Sequence, residues 1–294
     1  MILVTGASGF VGRHLCAALR AAGHVVRGLV HRPEAAARLA RQGIEPWLGE
    51  ITDEAALRAA VSGVAAVVHT VAIIHERGRH TFTAVNYEGT ARLLNATEQA
   101  RVARFVHLSA LGADAASPYP YLRSKGLGEQ AVMAADLGWT ILRPSIIFGP
   151  GDAFFGTLAT IARLSPVIPI VGDGQTRFQP IAVADVVACV QAALQDDRHR
   201  RQRYDIAGPD VLTYEQLVDL VRSRLGLRRI ILHIPPAIVR PVAAAMERLL
   251  PRPLVTPGQL DLLAVDNVTA DNAAPRLLGR PPQSVRDGLA YLRP

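Results

Sequence analysis

A glycine-rich turn begins at the sixth residue, and it limits the fold more than any other feature of the chain. Residues 2–5 form a short apolar, β-branched run. Gly6-Ala7-Ser8-Gly9-Phe10-Val11-Gly12 follows at once, and a helical period of apolar residues opens at Phe10. In a strand–turn–helix of this kind the first glycine permits the tight turn. The second lets backbone approach a pyrophosphate, and the third lets the helix pack closely on the strand. The helix start adds free N–H groups and a positive dipole end, which suit phosphate. A glycine triplet alone is a weak sign. Here it sits inside a βαβ pattern, so Gly6, Ser8, Gly9, Phe10, Val11 and Gly12 are expected to cradle a dinucleotide.

The pattern continues downstream. Strand-like runs at 25–30, 45–48, 66–70, 105–109 and 140–143 alternate with helical periods at 10–22, 33–42, 54–61, 81–100 and 121–137. Such alternation predicts an α/β fold with a doubly wound parallel sheet of the Rossmann type. Past Gly149 the rhythm changes to a helix at 154–164, a strand at 167–171, a helix at 183–194, a strand at 204–207 and a helix over 213–225. From 230 to 294 the chain reads as helical pieces punctuated by prolines. The expected division is therefore a dinucleotide-binding domain over 1–150, with a return near 179–194. A smaller, mostly helical substrate-side domain takes 151–178 and 195–294.

The specificity of the cofactor site depends on the end of the second strand. An NAD site places a carboxylate there for the adenosine ribose. This chain has His31 and Arg32 instead, and no acid before Glu34. Arg13, just after the third glycine, is expected to reach the same place, and two guanidiniums suit a 2′-phosphate. NADP(H) is accordingly preferred over NAD(H). Glu50 and Ile51 follow the third strand and are expected on the adenine side, with Asp53 a candidate there or a helix cap. Thr70 and Ala72 follow the fourth strand and complete the set.

Composition narrows the alternatives. The formal charge is +7, from 32 basic and 25 acidic residues, yet aromatics are only 5% and the arginines are dispersed. A nucleic-acid stripe would cluster them with aromatics, so no nucleic-acid partner is expected. Two cysteines, Cys16 and Cys189, fit a reducing compartment. No apolar run approaches the ~18 residues of a membrane span, and the N-terminus lacks a signal-peptide pattern. A cytoplasmic protein is expected. His69, His75, His80 and His107 share no metal-ligand spacing, so no metal is expected.

Among the basic residues 31 are arginine and one is lysine. That lysine, Lys125, stands four residues after Tyr121, which places both on one helix face. A tyrosine acting as acid or base needs its pKa tuned, and a compact ammonium beside it can do so.

Taken together, TGASGFVG, NYEGT, RFVHLSA, YLRSK, LRPSIIFGPGD, PIAVADV and YDIAGP resemble the extended short-chain dehydrogenase/reductase superfamily (NAD-dependent epimerase/dehydratase-like) over nearly the whole length. YLRSK and the C-terminal stretch look like the atypical group around the NADPH-binding accessory subunit of respiratory complex I and its bacterial relatives. The resemblance implies Tyr121 and Lys125 as catalytic pair and Asn86 as the structural asparagine of the active-site relay. It also implies Pro144 and Ser145 as the nicotinamide-side loop. The family's substrate-holding Ser or Thr falls on Ala110, with Ser109 one residue earlier and Ser117 in the next loop as replacements.

Three functions fit this reading. The first is an NADP-dependent oxidoreductase or epimerase acting on an unknown small molecule. The second is a weakly catalytic NADPH-binding subunit of a membrane-bound quinone-reductase assembly, peripheral on the inner face of the membrane. The third is a regulator that senses NADP(H). The segment 228–252, apolar with arginines at its ends, reads either as a helix packed on the core or as a basic amphipathic surface helix.

Overall fold

The computed structural model describes residues 1–250 and 255–293. Its first half runs β1 (Ile2–Thr5), α1 (Phe10–Ala21), β2 (Val26–Val30), α2 (Pro33–Arg41), β3 (Glu45–Leu48), α3 (Glu54–Val61) and β4 (Ala66–His69). A π-helical turn at Thr83–Glu88, α4 (Gly89–Gln99), β5 (Arg104–Leu108), α5 (Pro120–Ala134) and β6 (Gly138–Pro144) follow. The second half contains β7 (Ile147–Phe148), α6 (Phe154–Leu164), β8 (Val167–Val171), β9 (Arg177–Phe178), β10 (Ile181–Ala182), α7 (Val183–Gln195), β11 (Gln202–Ile206), β12 (Leu212–Thr213) and α8 (Tyr214–Arg224). It ends with β13 (Ile230–Ile234), α9 (Pro236–Leu249), α10 (Pro257–Leu263), α11 (Ala274–Leu278) and α12 (Val285–Gly288).

Seven strands form one sheet in the order β11-β6-β5-β4-β1-β2-β3, and every pairing in it is parallel. This is the Rossmann arrangement, and the chain order reverses between β1 and β4. Ligands of such sheets sit outside the carboxyl ends at that switch point. Strand alternation decides which core each residue joins. Val4, Val68, Val106 and Leu142 pack with Leu15 of α1 and Val186 of α7. Their neighbours Leu3, Val67, Phe105 and Ile141 pack with Leu57 and Leu93 on the other face. A third core, around Phe148, Phe155, Phe178 and Leu217, belongs to the second half.

Four expectations are corrected. Residues 81–100 are not one α-helix: Thr83–Glu88 is π-wound, which turns Asn86 inward. The segment 230–234 is a strand rather than a helical piece, because its β-branched residues pair in register with β8. The return to the sheet extends past 194, since β11 runs parallel to β6 along five residue pairs. The tail also returns, as Ala273, Ala274 and Leu277 join the core beneath α7. Asp185, buried in the first turn of α7, binds the Arg280 guanidinium and the Gln283 N–H, each at 2.6 Å. The smaller unit is thus stitched into the sheet by segments that local periodicity placed outside it.

Candidate active site

The turn after β1 is built for close backbone approach. Gly6 adopts φ +71°, a left-handed conformation that favours glycine. A Cβ at Gly12 would lie 2.1 Å from the Gly6 carbonyl oxygen, against fixed backbone. Gly9 caps α1 with no side-chain acceptor, and the first turn holds no acidic residue. Its N–H groups and dipole therefore face outward unneutralised, as a pyrophosphate requires. Thr70 braces the turn from below, donating its hydroxyl to the Thr5 carbonyl at 2.7 Å. This cradle, which a Cβ would fill, fits a dinucleotide.

At the end of β2, His31 and Arg32 are both exposed, and the Arg32 Nε donates to His31 Nε2 at 3.1 Å. Arg13 does not join them. Its guanidinium donates to the Pro150 carbonyl at 2.8 Å and lies over the Phe10 ring. The first turn of α1 abuts the 149–151 loop, and a side chain one turn after Phe10 follows it there. Glu50 is engaged as well, 2.7 Å from the Arg79 guanidinium. Ile51 is buried, and Ala72 is exposed in the loop after β4. Asp53 caps α3 by accepting from the Ala56 N–H, so it is a helix cap.

The Tyr121 and Lys125 side chains share one face of α5. Lys125 is 1% exposed, and its ammonium donates to the Leu108 carbonyl at 2.8 Å, beside Ser109. Among the described residues its other two N–H bonds have no partner. Burial lowers its pKa to about 8, while Glu129 works in the opposite direction. Tyr121 meets the Phe82 ring edge to face at 6.0 Å, and burial pushes its phenol up to about 12.

Asn86 fixes this helix. Its Oδ1 accepts from the Ile73 N–H at 2.9 Å, and its Nδ2 donates to the Ile73 carbonyl and the Ser124 hydroxyl. Ser124 in turn donates to the Tyr121 carbonyl. The loop after β4 and the Tyr121 turn are thereby locked together. Further along α5, buried Glu129 accepts from Nε and Nη2 of Arg143, both at 2.7 Å.

The hydroxyl candidates separate clearly. Ser109 is 6% exposed, and its Oγ is closed to solvent and has no partner among the described residues. Ala110 is half-exposed beside it. Ser117 accepts from the Tyr119 N–H, which commits its hydroxyl to the turn. Pro144 ends β6, and Ser145 donates to Asn267 Oδ1 at 2.6 Å.

Several residues escaped sequence reasoning. Asn267 also accepts from the Ile146 N–H, so it pins the tail onto the loop after β6. His69 and His107 face each other in register on β4 and β5 with rings 5.3 Å apart. His69 bonds the Thr5 and Thr90 hydroxyls, whereas both nitrogens of buried His107 lack a partner among the described residues. Burial and the nearby ammonium hold both histidines neutral, with His69 down to about 3. Only their place near a strand end, His69 last in β4 and His107 one before the end of β5, hinted at a shared layer. Among the described residues no cluster of His, Cys, Asp and Glu could hold a metal, and no helix is long and apolar enough to cross a membrane.

A parallel sheet with a phosphate cradle at its switch point and a Tyr–Lys helix beside it defines a short-chain dehydrogenase/reductase-type protein. The chain belongs to the NAD dependent epimerase/dehydratase family, whose model matches residues 2–207. It is 30% identical to an Arabidopsis thaliana mitochondrial NADH dehydrogenase [ubiquinone] 1 alpha subcomplex subunit 9, over 92% of this chain and 71% of that protein. It is likewise 30% identical to sterol demethylase protein B of Methylococcus capsulatus, over 99% of this chain and 98% of that one. An Escherichia coli NADPH-dependent quinone oxidoreductase, solved with NADPH, has the same fold at a TM-score of 0.79 and 21% identity, covering 99% of each chain.

Proposed function

We propose that the chain is an NADP(H)-dependent oxidoreductase working chiefly in the reducing direction on an apolar carbonyl compound, with Tyr121 as proton donor. The observation that carries this is the placement of the Tyr121 phenol, on the same face of α5 as the only lysine and against the Phe82 ring. Burial moves this phenol further from ionisation, so it stands protonated at pH 7. A protonated phenol is the state a general acid needs. The bound cofactor would supply the hydride to the carbonyl carbon.

The chain's own residues do the rest. Tyr121 donates its Oη proton to the developing alkoxide. Lys125, with two unused N–H bonds, holds the hydroxyls of the nicotinamide ribose. The α1 N-terminus and the Gly6–Gly12 turn hold the pyrophosphate. Arg32, with His31 beside it, takes the 2′-phosphate; Arg13 secures the Pro150 loop. Asn86 positions the Tyr121 turn. The Phe82 ring against Tyr121 gives the site an apolar wall, in keeping with the sterol-named relative along the whole chain. Ser109, closed to solvent, is given no substrate contact.

The test is a nucleotide titration joined to turnover. NADPH should bind more tightly than NADH, and Arg32→Glu should remove the difference. Tyr121→Phe should leave NADPH binding intact while cutting NADPH oxidation by about 100-fold or more with ketosteroid, quinone or long-chain ketone. Equal affinities, or a Tyr121→Phe variant with unchanged turnover, would overturn the reading.

A second reading is favoured by the Arabidopsis likeness and by Ala110, which offers no hydroxyl at the half-exposed position. In it the chain holds NADPH with weak turnover as a peripheral subunit of a quinone-reductase assembly. Native isolation separates the two: quinone-reductase subunits with stoichiometric NADPH support the assembly, and a partner-free cytoplasmic enzyme supports the first reading.

A further inference from the structure

The helix α9 has more apolar surface than the fold covers. Of its 14 residues only Ala243 is buried, with Val239 and Met246 partly covered on the same stripe. A second stripe, Ile238, Val242, Ala245 and Leu249, faces outward at spacings of four, three and four residues. Ile238, Val242 and Leu249 are 62%, 56% and 77% exposed. Residues at this spacing line one side of a helix. The apolar surface continues along the chain, because Ile230 and Leu232, alternate residues of β13, are exposed too.

Charge decides what covers it. Arg248 lies at the edge of the outward stripe, and Arg228 stands just before β13. Both are exposed, and among the described residues neither has an ion-pair or hydrogen-bond partner. Arg240, by contrast, is held by Asp261 at 2.8 Å. Glu247, the one acid of α9, falls on the opposite side of the helix from Ile238 at 100° per residue. On α9 itself the apolar stripe is edged by the unpaired Arg248 guanidinium and by no carboxylate, and Arg228 adds a second free guanidinium just before β13 among the described residues. Arg252, at the end of the segment singled out from sequence, lies outside the described residues.

We infer that this face docks on an anionic lipid surface, with the α9 stripe entering the headgroup–acyl boundary and Arg228 and Arg248 meeting lipid phosphates. An amphipathic helix lying in the interface likewise presents an apolar stripe edged by basic residues, and guanidiniums pair well with phosphate oxygens. The packed stripe does not compete, since it is a separate side of the helix. The inference stands on surface geometry and does not depend on the hydride-transfer reading.

The experiment is flotation of the full chain with vesicles of phosphatidylglycerol and phosphatidylcholine in equal parts, against pure phosphatidylcholine. The wild type should float with the anionic vesicles and release with added salt. Arg228→Gln with Arg248→Gln should weaken binding about 25-fold, roughly fivefold for each arginine. Ile238→Asp with Val242→Asp should abolish it. Far-UV circular dichroism and the melting temperature check that each variant is folded. Should the aspartate pair misfold, the arginine pair carries the test, because both side chains are solvated. A wild type that does not float, or variants that float as it does, overturns the inference. A dimer in light scattering that Ile238→Asp dissolves, with no flotation, overturns it in favour of a second copy of the chain.

Discussion

Replacing Lys125 with methionine should make the protein more stable and disable it. The ammonium is 1% exposed, and burial lowers its pKa from 10.5 to about 8. A shift of this size corresponds to about 3 kcal/mol, at 1.36 kcal/mol for each pH unit. Because the folded-state value is depressed, the fold carries the whole penalty below pH 8, where the ammonium is charged in both states. The penalty disappears as pH rises from about 8 to 10.5, where the folded chain holds fewer protons than the unfolded one. Methionine keeps an unbranched stem of similar volume and removes the charge. It also removes the bond to the Leu108 carbonyl, worth about 1 kcal/mol. At pH 7 the net gain should be about 2 kcal/mol, or an upward shift in melting temperature on the order of 5 °C. Thermal melts of both proteins between pH 6 and 10.5 measure it. The advantage of Lys125→Met should shrink through the upper part of this range and reverse near its end, as the lost bond remains. A variant less stable than wild type at pH 7, or a gap that ignores pH, would refute the buried-charge argument. Lost NADPH turnover in the stabilised variant would show that the lysine is kept for chemistry rather than for the fold.

Other outcomes can be stated briefly. Ser109→Ala should change turnover by less than about twofold in a steady-state assay, because its hydroxyl is sealed and unpartnered. The neutral histidines should make the fold acid-sensitive. His69 and His107 both have lowered values, so their contribution is complete above pH 6.5 and is lost as pH falls below it. Two such groups give a slope of about 2.7 kcal/mol per pH unit, and His107→Leu should halve it in denaturant melts between pH 6 and 4.5. Asn267→Ala removes the acceptor for the Ser145 hydroxyl and the Ile146 N–H. It should cost about 1–3 kcal/mol and speed limited proteolysis of the tail after residue 255.

Much of the first half was legible because its signals are local. Gly6 needs its left-handed φ whatever the rest of the chain does, and the β-branched runs alternate with helical periods within a few residues of each other. Glu45–Leu48 and Glu54–Val61 appear with the bounds their pattern suggests, as does Phe154–Leu164 in the second half. Tyr121 and Lys125 share a face because the helix pitch requires it. The π turn at Thr83–Glu88 was not legible, since a change of winding leaves the apolar spacing almost unaltered.

Partnership was decided elsewhere. Arg13 was assigned to the 2′-phosphate by chain position, yet the close approach of the 149–151 loop claims it. Residues 202–206 looked like part of an outer unit until register with β6 placed them in the sheet. The stacked His69 and His107 stand 38 positions apart along the chain, and only the β4–β5 pairing makes them neighbours. The sequence by itself determined the turn, the strand and helix rhythm and the placing of Tyr121 and Lys125 on one helix face, which depend on stereochemistry over a few residues. The tertiary structure alone decided which charges are buried, which hydroxyl is sealed and which guanidinium is free, because burial and pairing arise between segments that have no short-range connection.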